Sequence, residues 1–291
     1  MTADQWALTK QLLDVAEEAA RAAGEVALGG FRGPLEVRSK GGKDIVTQYD
    51  MAAERAAIEV IRARYPTHGI LAEEGGLAGP QAPSHDFLWM VDPIDGTHNY
   101  AAQLPFWCVS VAVGGPDGTP LAGVVLDPVH DELFSAIRGG GAFLNGSPIK
   151  VSSNGELSEA FVASDIGYRP GVARRMLFLA TWVQPMVRRW RLLGSAVLAM
   201  AYVAAGRFDA YFHLSLQPWD LGAASLLVEE AGGLTTDWEG RPLGPLWQSV
   251  SQAPLISALV TNRLLHSRMQ ALLRDGLAKV DAGPEPYTLP L

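Results

Sequence analysis

The sequence predicts an α/β protein built as two adjoining halves. Three observations carry that expectation. Segments with helical spacing alternate with short apolar runs of strand length through much of the chain. A dense β region fills about residues 107–146, between the two stretches of alternation. The apolar run from Phe87 to Val91 ends in two aspartates, Asp92 and Asp95, as a strand does when it delivers carboxylates to a turn. No low-complexity linker and no solenoid-length repeat divides the 291 residues. The best seam lies near residue 150, giving halves of about 1–150 and about 151–291 within a single domain.

Each element follows from local pattern. Thr2 to Leu28 carries Trp6, Leu12, Ala16, Ala19, Ala20 and Ala23 on one broad face, and Gly29-Gly30 with Pro34 end the helix. Lys40 to Lys43 is polar and reads as a mobile loop. Asp50 opens a helix to about Tyr65, with Ala53, Ala57, Ile58 and Ile61 inward. By itself Asp50 reads as an acid that suits a positive helix N-terminus. Gly69 to Ala72 is a strand delivering Glu73-Glu74 to a glycine turn, a pairing usually found on solvated surface; Leu77 to Asp86 is a loop. After Asp92, Pro93 blocks a helix until Gly96-Thr97, where the chain turns into a helix start.

Strands follow at Trp107–Gly114, Leu121–Leu126 and Leu133–Ile137, then a hairpin around Gly139–Gly146. The triple glycine there lacks Gly-Lys-Ser/Thr and is a turn, not a phosphate loop. The second half gives strand Phe161–Ser164, helix Arg169–Trp182, strand Arg189–Leu193, and a helix starting at Gly194-Ser195-Ala196. Phe208 to Phe212 is a strand running into His213; Gln217-Pro218-Trp219-Asp220 opens a helix to Ala231; Leu255–Val260 is the last strand; Asn262 caps the final helix. Beyond Asp281 prolines make a loose tail.

Composition bounds the function. Hydrophobic residues are 48% and charged residues 19%, enough for a large core. A net charge of −8 argues against nucleic-acid binding through a basic surface. It is compatible with an anionic substrate where divalent metals invert the local field. Cys108 is the only cysteine, so neither an intrachain disulfide nor a cysteine zinc site is available. The acidic N-terminal segment is unlike a signal peptide, and no apolar run approaches the ~20 residues of a membrane span. A cytoplasmic protein with no membrane partner is expected.

Four acidic positions share a placement. Glu73, Asp92 and Asp95 sit just beyond strands, and Asp220, like Asp50, sits at a helix start. Converging carboxylates repel one another unless cations are present. Oxygen-only ligands suit Mg²⁺ or Mn²⁺ better than zinc. Amides at Gly96 and Thr97 add an anion site beside them. The simplest substrate needing both is a phosphate ester. The haloacid dehalogenase pattern does not fit, because the aspartates are three apart rather than two and 91 residues precede the first.

The run Asp92-Pro-Ile-Asp-Gly-Thr-His-Asn99 resembles the signature of the inositol monophosphatase-like family. Asp44-Ile-Val-Thr-Gln-Tyr-Asp50, Ala72-Glu-Glu-Gly75, Gly141-Ala-Phe-Leu-Asn-Gly146 and Trp219-Asp220 match in order and approximate spacing, to about residue 273. The resemblance implies a five-layer αβαβα sandwich, commonly a homodimer, and a Mg²⁺-dependent, lithium-sensitive phosphatase. It implies a first ion on Glu73, Asp92 and the Ile94 carbonyl, and a second on Asp92, Asp95 and Asp220. A weaker third ion would lie near Glu73. It makes Glu73, Asp50 and Thr97 catalytic, with the Thr97 hydroxyl drawing a proton from water and Asp50 orienting it; alone, Thr97 reads as a helix cap. Asp95, Gly96, Thr97 and Asp220 would meet substrate, and Gly194, Ser195 and Ala196 would line its alcohol side.

The alcohol itself is open. The family commonly has a glutamate seven residues before the Trp-Asp aspartate, and this chain has His213. His213 is either a hydroxyl contact or an inert wall. Inositol-1-phosphate-like polyol monophosphates lead, with fructose 1,6-bisphosphate, histidinol phosphate and a nucleotide 3′-phosphate as alternatives. A non-catalytic Mg²⁺-binding dimeric scaffold is the alternative of another kind. Arg191 is left to the site or a partner subunit, and Trp107, Trp182 and Trp190 are assigned to the core.

Overall fold

The computed structural model describes residues 2–78, 87–244, 246 and 255–281. The chain begins with α1 (Ala3–Gly30), a hairpin of β1 (Val37–Gly41) and β2 (Asp44–Thr47), and α2 (Gln48–Arg64). Next come β3 (Gly69–Ala72), β4 (Gly76–Ala78), β5 (Leu88–Asp95) and the short α3 (Thr97–Ala101). The meander is β6 (Cys108–Gly114), β7 (Pro120–Asp127), β8 (Glu132–Ile137), β9 (Gly141–Leu144) and β10 (Ser147–Pro148). The second half runs β11 (Phe161–Ser164), α4 (Pro170–Val183), β12 (Arg189–Leu192), α5 (Ala196–Ala204), β13 (Ala210–Leu216) and α6 (Pro218–Glu230). It closes with β14 (Leu234–Thr236), β15 (Ile256–Thr261) and α7 (His266–Asp281).

Two sheets organise the core. The larger has order β10-β9-β8-β7-β6-β5-β3-β4 and the smaller β12-β11-β13-β15-β14. Strand alternation explains how both faces of each sheet are covered. In β5, Trp89 and Val91 pack toward Leu12, Ala16, Ala53 and Ile61 of α1 and α2. Met90, between them, points the other way into the cluster built by α5 and α6. The small sheet repeats the arrangement. Ala163 and Tyr211 face α5 and α6, whereas Val162, Ala210 and Phe212 meet Met176, Leu179 and Leu273 of α4 and α7. The layers are therefore helix, sheet, helix, sheet, helix, as expected. The middle layer touches sheet on both sides, which is why α5 is apolar all round, with only Tyr202 partly exposed.

Several local expectations need correction. Lys40 and Gly41, expected in a loop, close β1 of an antiparallel hairpin over residues 37–47, and Gly42 with Lys43 forms its turn. α2 opens at Gln48 with Thr47 as its cap, two residues before Asp50; Asp50 is the third helical residue and its carboxylate accepts the Thr47 N–H. Both glycines, Gly29 and Gly30, lie inside α1. Leu77 and Ala78 belong to β4, while the rest of that expected loop, 79–86, lies outside the described residues, as does the tail from 282. β5 does not end at Val91 but runs through both aspartates. β13 carries His213 inside the strand instead of at its end. Trp107 is buried, but Trp182 is 37% exposed on α4 and Trp190 is only half-buried.

The β5 irregularity positions the site. Asp92 pairs with Ser110 and Asp95 with Cys108, so three steps on β5 oppose two on β6. Residues three apart on a regular strand face opposite sides. One extra residue restores both carboxylates to the same side, and Pro93, which has no N–H to donate, suits such a bulge.

Candidate metal centre

The cleft between the halves has a volume of about 1000 Å³, and Asp92, Asp95, Thr97, Ala196, His213 and Asp220 help line it. One carboxylate oxygen from each of Asp92, Asp95 and Asp220 lies within 4.8 Å of the others. Asp92 and Asp95 are buried, and Asp220, in the first turn of α6, is half-buried. The Asp220 carboxylate also accepts the Gln217 N–H at 2.8 Å, which fixes it at the helix start.

Electrostatics mark this cluster. Burial pushes the Asp92 carboxyl well above its ordinary value, and the charges of Glu73, Asp95 and Asp220 push it further. Burial likewise raises Asp220, with Asp95 adding to it. Asp95 is raised to about 6 by burial, opposed by hydrogen bonds from Ser195 and the Val197 amide. Ser195 Oγ donates to Asp95 Oδ2, and the Val197 N–H donates to the same oxygen at 2.8 Å. The Cys108 thiol lies 3.8 Å from it.

Thr97 and Asp50 meet although 47 residues separate them. Thr97 Oγ1 is 3.0 Å from Asp50 Oδ1 and 3.1 Å from the Ile94 carbonyl, both acceptors. Asp50 Oδ2 is engaged by the Thr47 N–H and hydroxyl. Burial raises the Asp50 carboxyl, while these donors pull it back. Glu73 lies beside Asp92 but outside the three-carboxylate group. Its Oε1 accepts from Lys40 Nζ at 2.8 Å, and Lys40 also pairs with Glu74. Burial brings Glu74 up to about 7.

The turn before α5 joins the halves. Gly96 has φ +100, and a Cβ there would stand 3.0 Å from the Gly194 carbonyl oxygen and 3.2 Å from Ser195 Cβ. Gly194 has φ +78, and a Cβ there would meet the Asn99 amide at 2.8 Å. Only glycine satisfies both the backbone and the space. Asn99 Nδ2 donates to the carbonyls of Phe106 and Leu193, each at 2.7 Å.

His213 is 4% exposed. Its Nδ1 accepts the Ser215 N–H at 3.2 Å, so the neutral ring carries its proton on Nε2, which has no hydrogen-bond partner. Burial presses its pKa down to about 4. Arg191 is exposed, stacks over Phe161 at 5.1 Å and does not line the cleft. His98 is exposed, with Nε2 2.8 Å from the Lys43 carbonyl.

Sequence reading missed Asp165 and Lys40. Asp165 follows β11 directly, the same strand-end placement that singled out Glu73. Burial raises it to about 7, against donors from Gly194, Tyr211 and Leu193. Lys40 had no signal beyond a polar loop.

The pattern that defines the inositol monophosphatase family matches residues 8–275. The chain belongs to that family. Family relatives carry names of two kinds. The Nus factor SuhB of Pseudomonas aeruginosa is 39% identical over 234 residues, covering 79% of this chain and 86% of that protein. Inositol monophosphatase 3 of Solanum lycopersicum is 39% identical over 242 residues, covering 79% and 87%. Among solved structures, the extragenic suppressor protein suhB of Bartonella henselae superposes with a TM-score of 0.83 at 33% identity, covering 91% of this chain and 99% of that one.

Proposed function

We propose that this family member is a divalent-metal-dependent phosphomonoesterase for a small polyol or sugar phosphate, with inositol-1-phosphate-like esters leading. The observation that carries the proposal is the cluster of Asp92, Asp95 and Asp220, two buried carboxylates and one half-buried, with an oxygen of each within 4.8 Å of the others and each raised first by burial. The donor set fits a hard cation. Every side chain offers oxygen, and nitrogen and thiolate ligands are absent from the group. Asp92, Asp95 and Asp220, with Glu73 and the Ile94 carbonyl adjoining, would hold two or three Mg²⁺ ions, or Mn²⁺. Bound there, the ions supply charge neutralisation and a water acidified toward neutrality.

The chain's own groups do the rest. Thr97 Oγ1 receives the proton of the attacking water as a hydrogen bond and directs its own hydrogen to Asp50 Oδ1. Asp50 keeps that geometry because Thr47 locks its other oxygen. The N–H groups of Gly96 and Thr97 meet the phosphate oxygens. The ester P–O bond breaks as the new P–O bond forms; the attacking water, held by Thr97, loses one proton to the water of the cleft, and a water held by Asp220 gives one to the departing alkoxide and regains it from there, leaving alcohol and phosphate. Gly194, Ser195, Ala196 and His213 border the space for that alcohol. We place the protein in the cytoplasm as a homodimer; no helix among the described residues is long and apolar enough to cross a membrane.

The test is phosphate release from inositol 1-phosphate, fructose 1,6-bisphosphate, histidinol phosphate and p-nitrophenyl phosphate, with Mg²⁺ and with EDTA. Mg²⁺-dependent release supports the proposal and ranks the alcohols. No release from any ester would sink it in favour of a non-catalytic scaffold.

A further inference from the structure

A metal ligand is only as well placed as the group that holds its other oxygen. Asp95 Oδ2 is held by Ser195 Oγ and the Val197 N–H, both at the start of α5. The orientation of Asp95, on the large sheet, is therefore set by a turn that belongs to the small sheet's half. That turn is fixed from two sides. From α3, Asn99 Nδ2 donates to the Leu193 carbonyl at 2.7 Å. From just beyond β11, Asp165 Oδ1 accepts the Leu193 N–H at 3.2 Å and the Gly194 N–H at 2.5 Å. Asp165 is itself steadied by the Tyr211 hydroxyl, which donates to Oδ2 at 3.1 Å from the adjacent strand.

We infer that Asp165 is a positioning residue for the metal centre, acting through the Leu193–Ser195 turn on the Asp95 carboxylate. The inference rests on the metal-centre reading above. It makes one backbone turn the link between a carboxylate no sequence motif marks and a carboxylate the signature marks. Gly194 leaves little slack in that link. With its amide bonded to Asp165 and a Cβ excluded by Asn99, the turn has little room to shift without carrying Ser195 along. Asparagine at 165 keeps an oxygen for the two backbone amides, and its NH₂ faces the Tyr211 oxygen, which can accept. Alanine keeps neither.

The experiment is a Mn²⁺ titration of the full chain without substrate, read by the electron paramagnetic resonance signal of free Mn²⁺, beside the Tm of each metal-free variant. Hydrogen-bond partners outside a ligand shell typically change metal affinity by about 10–100-fold, and one step further out the lower end is expected. Asp165→Ala should weaken Mn²⁺ binding roughly 10-fold, while Asp165→Asn stays close to wild type. Tyr211→Phe removes a bond to Asp165 but none to the turn, so it should lower Tm without moving Mn²⁺ affinity. Asn99→Ala loosens the turn from the other side and should weaken Mn²⁺ as Asp165→Ala does, which keeps the test decisive if the alanine at 165 does not fold. Equal Mn²⁺ affinity in wild type and the folded turn variants would overturn the inference. So would a loss in Tyr211→Phe equal to that in Asp165→Ala, because metal affinity would then be tracking stability. Absence of Mn²⁺ binding in wild type would instead overturn the metal centre itself.

Discussion

Two sets of buried aspartates sit in this molecule under opposite conditions. Asp209, in the second half, accepts hydrogen bonds from Ser152 Oγ, from Asn154 Nδ2 at 3.2 Å and from the Phe161 N–H at 2.7 Å. Asp127, at the end of β7, accepts the Val129 and His130 N–H groups at 3.0 and 3.1 Å, with His130 Nδ1 2.7 Å away. Their charge is fully answered by protein donors. Asp92 accepts the Ile94 N–H at 3.1 Å and otherwise confronts Glu73, Asp95 and Asp220. The first set ties loops to sheets. The second gathers carboxylates whose charge the Lys40 pair with Glu73 offsets only in part, an arrangement that a bound cation would complete.

The comparison can be broken in graded steps. Asp95→Asn should have the largest effect, lowering kcat on the best phosphate ester on the order of 10³-fold, about 4 kcal/mol of transition-state stabilisation. The metal-free fold should be no less stable, as one repelling charge is gone; a near-normal rate would remove Asp95 from the centre. Thr97→Val should lower kcat about 100-fold with little change in KM, in the range of lost general acid–base assistance. Asp209→Ala should do the reverse. Orphaned donors should cost about 2 kcal/mol in urea unfolding, with Mn²⁺ affinity unchanged. A change in metal binding there would erase the distinction between the two sets.

A pH experiment sharpens it. Asp95 is raised to about 6 and Asp165 and Glu74 to about 7, above the ordinary value of about 4. Over that interval the metal-free fold binds more protons than the unfolded chain. Their contribution to stability is full at low pH and is lost as pH rises through the raised values. A cation needs the ionised forms, so the gain in Tm on adding Mg²⁺ should be larger at pH 8 than at pH 5. An equal gain at both would deny the cluster its role. The smallest effect is expected from His213→Glu, a several-fold shift in kcat/KM toward inositol 1-phosphate relative to p-nitrophenyl phosphate. An unchanged ratio would leave His213 as wall.

Much of this was legible in the residues. The β5 run, its two aspartates and Thr97 are contiguous, and local sequence carries contiguous information well. The long strands of the meander and the helices of the second half follow from periodicity. The failures have a common cause. β4 and β14 are three residues each, too short to show alternation. β1 of the 37–47 hairpin is polar after Val37 and fully exposed, so it lacks the apolar signal of a strand. Residue type places Trp182 in the core, yet its ring packs on Gly276 of α7 and stays 37% exposed. The reach of Asp165 to Gly194, across 29 positions, is a fact of tertiary structure that no spacing predicts.

Gly96 and Gly194 bring the halves so close that backbone and side chain from one fill the place of a methyl group on the other. Neither position can accept an alanine unless a neighbour across the seam retreats. The two turns are therefore one joint: a change of shape in the β5 turn requires a matching change in the turn before α5. A chimera that joins the first half of one relative to the second half of another should be judged first at these two hydrogen atoms.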